Sequence, residues 1–325
     1  MPSAEPMKFL VLRFSSIGDI VLTTPVLRGL KQQVPGAEVH VATKPQYRFL
    51  FEHNPYVDRI FALGNSLPGL AAELKAERYD AVIDLHHNLR TRRLGWALGA
   101  VPTYRFNKLN WEKWLLVNLK INRLPDRHIV DRYLETVAPF GVKDDGGGLD
   151  YFLPPADEVP LDTLPDTHRR GYLAFAIGGQ HETKKLPVER MIELCWVLGR
   201  PVVLLGGPED AANGERITEA VSSGLVFNGC GRFSFNESAS LVRQAERVYT
   251  HDTGLMHVAA AFGKPVVSIW GNTVPAFGMY PYRTKFEAWE VNGLPCRPCS
   301  KIGHAKCPQG HFRCMKDQKL IVDRG

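Results

Sequence analysis

Short apolar runs, each followed by a turn and then an amphipathic stretch, recur along both halves of this 325-residue chain. That alternation constrains the fold more than any single motif. Runs of this length are strands, and the stretches between them have helical spacing of apolar residues. Strands and helices that alternate over short connections bury their apolar faces by forming parallel sheets with right-handed crossovers and helices on both sides. Strands are expected over 8–14, 38–43, 59–62 and 81–85, with helices over 20–33, 45–52, 67–77, 111–121 and 129–140. After a break the pattern resumes: strands over 172–177, 201–205, 225–228, 247–250 and 265–270, helices over 187–198, 209–222, 236–245 and 254–262.

The break lies between Val142 and Arg170. It carries Asp144-Asp145-Gly146-Gly147-Gly148, Pro154-Pro155, Pro160 and Pro165, and has no apolar period. Such a stretch reads as an interdomain connection, with one short strand at Tyr151–Leu153. Two doubly wound Rossmann-like α/β domains are therefore expected, over 1–150 and 151–325. Ligands of such sheets bind at strand C-terminal ends, and the most useful place for one is a cleft between the two domains.

Charge and length exclude several classes. Lys and Arg total 40 against 34 Asp and Glu, a net charge of +6. That is far below the dense basic faces of nucleic-acid binders, and it suits an anionic substrate or an acidic membrane surface. The longest apolar runs, such as Val202–Leu205 and Val266–Trp270, are strand-sized and far short of the roughly 20 residues of a membrane span. The first one, Phe9-Leu10-Val11-Leu12, is cut short by Arg13 and lacks a small-residue cleavage site, so a cytoplasmic protein is expected.

The turns carry the chemistry. Ser15-Ser16-Ile17-Gly18-Asp19 follows the first strand and opens a helix. Dinucleotide enzymes place G-x-G-x-x-G there. One glycine cannot supply both the tight turn and the close pyrophosphate approach, so no NAD or FAD is expected. The turn does offer Asp19, a carboxylate at a helix start where the dipole favours its ionised form. It either caps the helix with Ser15 or Ser16 or acts as a general base toward an acceptor hydroxyl.

In the second half, His251-Asp252-Thr253-Gly254 joins a strand to a helix that ends at Gly263 and Pro265. Thr253 and Gly254 thus offer backbone N–H groups and the helix dipole to a phosphate; the alternative is a plain helix start with Asp252 as N-cap. His257, one turn inside, reads as a packed histidine. Gly178-Gly179 precede Thr183-Lys184-Lys185-Leu186-Pro187, a basic lip whose lysine can neutralise a leaving diphosphate. Gly206-Gly207-Pro208-Glu209-Asp210 places two acids where they either accept from ribose hydroxyls or sit in a helix's first turn. Arg90, Arg92 and Arg93 follow the strand ending near Asp84. They form either an anion-binding patch with Asp84 as local partner or a solvated helix face.

Four of six cysteines crowd the tail as C-x2-C-x7-C-x6-C (Cys296, Cys299, Cys307, Cys314). The first half resembles a zinc knuckle and the second does not, so a metal site stands beside reduced packing thiols or a labile disulfide. No D-x-D occurs, and neither a metal nor a cofactor is expected at the active site.

Together these motifs resemble glycosyltransferase family 9, the ADP-heptose:lipopolysaccharide heptosyltransferases. Residues 8–31, KFLVLRFSSIGDIVLTTPVLRGLK, are similar to the family's opening strand, turn and helix. Residues 251–275, HDTGLMHVAAAFGKPVVSIWGNTVP, resemble its DTG block, with GGPED and the C-x-P-C tail as weaker matches. The resemblance implies a GT-B fold and metal-independent transfer with inversion of a heptose from ADP-heptose to a lipopolysaccharide core or similar anionic glycolipid. By the resemblance Asp19 is the base. Lys184, Thr253, Gly254, Gly178 and Gly179 hold the donor diphosphate, Asp252 faces the donor sugar and Glu209 reaches the ribose. Arg13, Ser16, Gly18 and Arg90 are placed near the acceptor, with peripheral contact at the cytoplasmic face of the inner membrane. A nucleotide-sugar epimerase of similar fold and a non-catalytic nucleotide-sugar binder are the alternatives. The chain departs from the family at Leu186, where an aromatic is common, and at Asn272-Thr273-Val274-Pro275, which lacks an acid before the proline.

Overall fold

The computed structural model describes residues 6–64 and 66–321. By its internal contacts the chain divides into two compact units. One comprises 1–108 and 127–152, the other 109–126 and 153–325.

In the first unit the order is β1 (Lys8–Leu12), α1 (Ile17–Val21), α2 (Thr24–Gln33), β2 (Glu38–Thr43), β3 (Arg59–Ala62), α3 (Leu67–Ala76), β4 (Ala81–Asp84), α4 (Leu89–Ala97), β5 (Thr103–Arg105). The sheet runs β3-β2-β1-β4-β5 with every pair parallel. β1 is central: Leu12 lies opposite Ala42 on one side and Asp84 on the other. Phe9 to Leu12 are all buried, as a strand covered on both faces requires. The strand order reverses between β1 and β4, so the turns after these two strands open at the sheet's switch point.

Within the second unit α5 (Asn110–Trp114) comes first, although its sequence neighbours α6 (Ile129–Leu134) and residues 127–152 belong with the first. Then follow β6 (Leu173–Ala176), α7 (Val188–Leu198), β7 (Val202–Leu205), α8 (Ala211–Val221), β8 (Val226–Asn228), α9 (Phe235–Gln244), β9 (Arg247–His251), α10 (Gly254–Ala261), β10 (Val266–Trp270), β11 (Phe286–Glu290) and α11 (Arg313–Lys316). The order β11-β10-β9-β6-β7-β8 is again all parallel. Its switch point lies between β6 and β9, where Ala176 faces Thr250.

Several expected elements change at their ends. The helix expected over 20–33 is two helices broken at Leu22–Thr23, because Thr23 Oγ1 donates to the Ile20 carbonyl and Pro25 enters early in α2. Residues 45–50 form a 3₁₀ turn rather than an α-helix, and 115–119 continue α5 as a π-turn. Helix 129–140 stops at Leu134, with a separate 3₁₀ turn at Ala138–Phe140. No strand forms at Tyr151–Leu153. β5, β11 and α11 were not expected: they are short, and their residues are too polar or too exposed to make an apolar run. α4 puts Arg90, Arg92 and Arg93 on a helix, one of the two readings of that cluster.

The Asp/Gly stretch is not a free linker. Arg28 on α2 donates to both carboxylate oxygens of Asp145 at 2.6 and 2.8 Å and to the Gly148 carbonyl at 3.0 Å, and it pairs with Asp150. Gly146 and Gly148 have φ of 77° and 72°, which a side chain disfavours, and a Cβ on Gly147 would lie 2.8 Å from Arg28 Nη2. The glycines let the backbone wrap a guanidinium.

Candidate active site

The turn after β1 is organised by Arg13. This buried side chain donates through Nε to the Ser15 carbonyl (2.8 Å) and through Nη1 to the Tyr133 hydroxyl (2.9 Å) and the Leu85 carbonyl. Its remaining amine, Nη2, pairs with Asp19 Oδ1 at 2.7 Å. The other carboxylate oxygen accepts from Ser16 N–H (3.1 Å) and Ser16 Oγ (2.8 Å). Ser16 is the N-cap of α1 and Asp19 its third residue, so the carboxylate satisfies one end of the helix start. Capping is therefore real, and it does not consume the group: the Asp19 side chain remains 21% exposed. Burial alone would raise its pKa, but the Arg13 charge and the two Ser16 hydrogen bonds outweigh it and hold the carboxyl at about 2.

Gly18 is buried within α1. Arg90 is exposed on α4, with its guanidinium 5.9 Å from the Phe14 ring at the end of the same turn. Asp84 does not partner the arginine cluster. It is fully buried, accepts from His86 and His87 N–H (3.1 and 2.7 Å), and its nearest cation is Arg105 Nε at 3.5 Å. His86 stands edge-on to Phe14 at 5.7 Å. Burial, with Arg13 and Lys108 nearby, lowers its pKa to about 4, so at neutral pH it adds no further charge.

In the second unit, the turns after β6 and β9 meet at the switch point. Lys184 Nζ pairs with Asp252 Oδ2 at 2.6 Å and lies 3.3 Å from the Asp252 carbonyl. The same Oδ2 accepts from Thr273 Oγ1 at 3.0 Å. Asp252 is therefore not the N-cap of α10. Thr253 holds that position without a side-chain cap bond, so no side chain takes up the amides opened at Gly254. That is the local form of an anion site. Gly179 sits against Thr253: a Cβ there would come within 3.2 Å of Thr253 Cγ2.

The two lysines of the lip part company. Lys185 turns inward, 2.5 Å from Glu182 and 3.5 Å from Asp210, leaving Lys184 to face Asp252. Asp210 is buried and accepts from Gly207 N–H at 3.1 Å, the first-turn role; a Cβ on Gly178 would collide with it at 2.5 Å. Glu209 remains the exposed acid at the end of β7. His257 is buried in α10.

His251 was not singled out by the sequence. It is fully buried at the end of β9, and its Nε2 accepts from Leu186 N–H at 3.0 Å. Burial and the nearby Lys185 lower its pKa to about 3, which keeps the ring neutral and able to accept. The end of β9 and the turn after it thus hold the lip twice, through His251 and through Asp252. His251→Leu is expected to cost about 1–3 kcal/mol of stability, because it orphans a buried N–H. His251→Gln, with an acceptor oxygen in reach, should recover most of that loss in thermal melts.

The tail also braces this site. Arg297 donates to the Gly271 and Thr273 carbonyls at 2.7 and 2.9 Å, and Thr183 and His304 exchange hydrogen bonds at 2.8 to 3.2 Å. All six cysteines are free thiols; Cys296 Sγ lies 3.8 Å from His311 Nε2. Among the described residues, the His/Cys/Asp/Glu group tight enough to share an ion is Glu38–His40–Glu77. Lys8 already stands there, 3.3 Å from Glu38 and 3.1 Å from Glu77.

A family model, glycosyltransferase family 9 (heptosyltransferase), matches residues 69–308, well over half the chain. The chain belongs to glycosyltransferase family 9. The matched stretch holds all the groups gathered around Lys184 and Asp252, whereas the β1 turn precedes it. Lipooligosaccharide heptosyltransferase 2 of Haemophilus influenzae is 25% identical over 309 residues, covering 83% of this chain and 85% of that protein. A family 9 glycosyl transferase from Veillonella parvula superposes with a TM-score of 0.70 at 25% identity, over 87% of this chain and 85% of that one. An Escherichia coli heptosyltransferase solved with ADP-2-deoxy-2-fluoro heptose gives 0.66 at 23% identity, over 88% and 94%. The enzyme is a glycosyltransferase, and its two Rossmann-like units are those of the GT-B fold.

Proposed function

We propose that the enzyme transfers a heptose from ADP-heptose to a hydroxyl of a lipopolysaccharide core, with inversion and without a metal. The observation that carries this reading is the Arg13–Asp19 pair, a carboxylate held ionised yet still partly exposed at the switch point of its sheet. An ionised carboxylate there accepts the acceptor hydroxyl's proton as the new C1–O bond forms and the bond from C1 to the diphosphate oxygen breaks. ADP then leaves with the electron pair of that bond.

The second unit supplies the grip on the leaving group. Lys184 and the amides at Thr253 and Gly254 neutralise charge that grows on the diphosphate, the part a divalent cation plays in D-x-D enzymes. Gly178 and Gly179 let the backbone come close, Asp252 faces the sugar hydroxyls and Glu209 the ribose. On the first unit, Ser16 and Arg90 flank the acceptor, whose anionic groups suit Arg90, while the buried Arg13 and Gly18 hold the turn that presents Asp19. The donor is supported by the E. coli relative's bound analogue, the acceptor by the H. influenzae relative's name. A membrane-borne acceptor places the work at the cytoplasmic face of the inner membrane; among the described residues no helix is long and apolar enough to cross it.

The test incubates the purified enzyme with ADP-heptose, alone and with heptose-deficient core glycolipid, in chelator. ADP release together with one added heptose on the acceptor is expected. Epimerised donor without acceptor, or no ADP release with any core acceptor, overturns the reading.

A further inference from the structure

The Gly178-Gly179 loop ends at His181, just before the lip. His181 is half-buried, and among the described residues none hydrogen-bonds its ring. Its carbonyl accepts from Lys184 N–H at 2.9 Å across the 3₁₀ turn Glu182–Lys184. Side chains three apart on such a turn eclipse, so the imidazole and the Lys184 ammonium share a side. The charges that face the ring agree: Lys184 from the lip, Asp252 from the turn after β9 and His304 from the tail. Glu182, the next residue, is taken by Lys185 at 2.5 Å.

The tail fixes the ring in place. Gly303, at φ 146°, lies so close that a Cβ would come within 2.6 Å of His181 Cβ and Cγ and 2.8 Å of Cδ2. Ser300 Oγ accepts from the Gly303 N–H at 3.0 Å, and the neighbouring His304 N–H donates to Thr183 Oγ1 at 2.8 Å. Packing thus takes up the ring's carbon edge and leaves its nitrogens unpaired.

Burial lowers the pKa of His181, and Lys184 and His304 lower it further against the opposing pull of Asp252, so the ring is neutral above pH 7 in the free enzyme. A bound diphosphate reverses that balance. Lys184 and Asp252 already cancel each other at 2.6 Å, so the negative charge a diphosphate adds has no matching cation there.

We propose that His181 is a proton-switched second grip on the donor diphosphate. On donor binding the ring takes a proton from solvent and donates N–H to a phosphate oxygen. It keeps that proton while charge grows on the departing ADP and returns it to solvent when ADP leaves. This deepens the donor reading above and rests on it.

Titration calorimetry of ADP into the full-length enzyme, at one pH in two buffers of different ionisation enthalpy, reads the proton. Near pH 7.5 the wild type is expected to take up about half a proton per ADP beyond what His181→Gln takes up. Subtracting the variant removes the protons that ADP's own terminal phosphate exchanges. Gln keeps an N–H donor, so what it lacks is the charge. The ratio of wild-type to His181→Gln affinity should be about tenfold near pH 6.5 and shrink to about one by pH 9, with equal melting temperatures. His181→Arg, whose charge is permanent, should hold ADP more tightly than His181→Gln across that whole range. Equal proton uptake by wild type and His181→Gln, or an affinity ratio that stays level with pH, overturns the proposal and leaves the transferase reading standing. ADP that does not bind the wild type overturns both.

Discussion

Asp19→Asn is expected to lower kcat by about 10²- to 10⁴-fold, the usual weight of a positioned general base, and to leave ADP affinity unchanged. The substitution keeps the shape of the side chain and one acceptor oxygen, so it removes the charge that receives the proton together with either the Arg13 or the Ser16 contact. Steady-state ADP release and ADP titration calorimetry separate the two effects. Turnover within a fewfold of wild type would falsify the role.

The low pKa of Asp19 adds a second arm. A carboxyl near 2 is ionised throughout any practical assay range, so kcat/KM should show no acid limb from this group above about pH 4. Arg13→Gln removes the charge at 2.7 Å that holds it down, while the burial that raises it stays. The carboxyl then moves up, and an acid limb should enter the profile between about pH 4 and 6. The sign for stability follows the same logic. A folded-state pKa below the unfolded one stabilises the fold above the unfolded value, and that contribution is lost as pH falls toward 2. Arg13→Gln should therefore flatten the acid side of the melting-temperature profile as it steepens that of activity.

How much of this was legible in the chain depends on the range over which each contact acts. The strand-turn-helix alternation is local, and it carries the two parallel sheets and the turns at their switch points. Asp19, Thr253 and Gly254 were visible because a turn between a strand and a helix fixes their setting within five residues. What Asp19 touches was less visible: Arg13 was placed near the acceptor, and the structure makes it the counter-ion of the base. Its four-way hydrogen bonding draws on Leu85 and Tyr133, 72 and 120 residues away, which no local pattern encodes.

Identical residue types set a second limit on what local pattern shows. Lys184 and Lys185 are adjacent with similar sequence surroundings, and only packing shows that one serves Asp210 and the other Asp252. For Asp84 and Asp252 a local partner or cap was one of the open readings, and each is taken instead by a more distant group, Arg105 and Lys184. Polarity hid the edge strands: β5 is Thr-Tyr-Arg and β11 is Phe-Glu-Ala-Trp-Glu, half exposed at the rim of the sheet, so neither shows an apolar run. The Asp/Gly stretch does connect the two units, which divide at Phe152 and Leu153, but a linker composition also suits a loop that must wrap Arg28, and the sequence showed only the first role.

Lys184→Gln should reduce kcat/KM for the donor by about 10²- to 10³-fold, the range found when one charge-stabilising group is removed. ADP affinity should fall by only about tenfold, because charge on the diphosphate grows as the sugar departs and the lysine therefore matters more in the transition state than in the bound ground state. The substitution also strips Asp252 of its counter-ion at 2.6 Å, leaving a carboxylate next to an anionic ligand. Part of the loss is then repulsion rather than missing attraction, and the two can be told apart. Lys184→Gln/Asp252→Asn, which removes both charges, should recover part of the ADP affinity lost by the single variant, so that the effects are clearly non-additive. Asp252→Asn alone leaves the lysine free for the diphosphate and should hold ADP at least as tightly as wild type while losing turnover through the sugar. Lys185→Gln acts on the buried Asp210 and should lower the melting temperature more than the rate. If Lys184 and Lys185 substitutions instead cost equal turnover, or if the double variant holds ADP no better than Lys184→Gln alone, the lysine is not gripping the leaving group and the diphosphate site must be sought elsewhere in the unit.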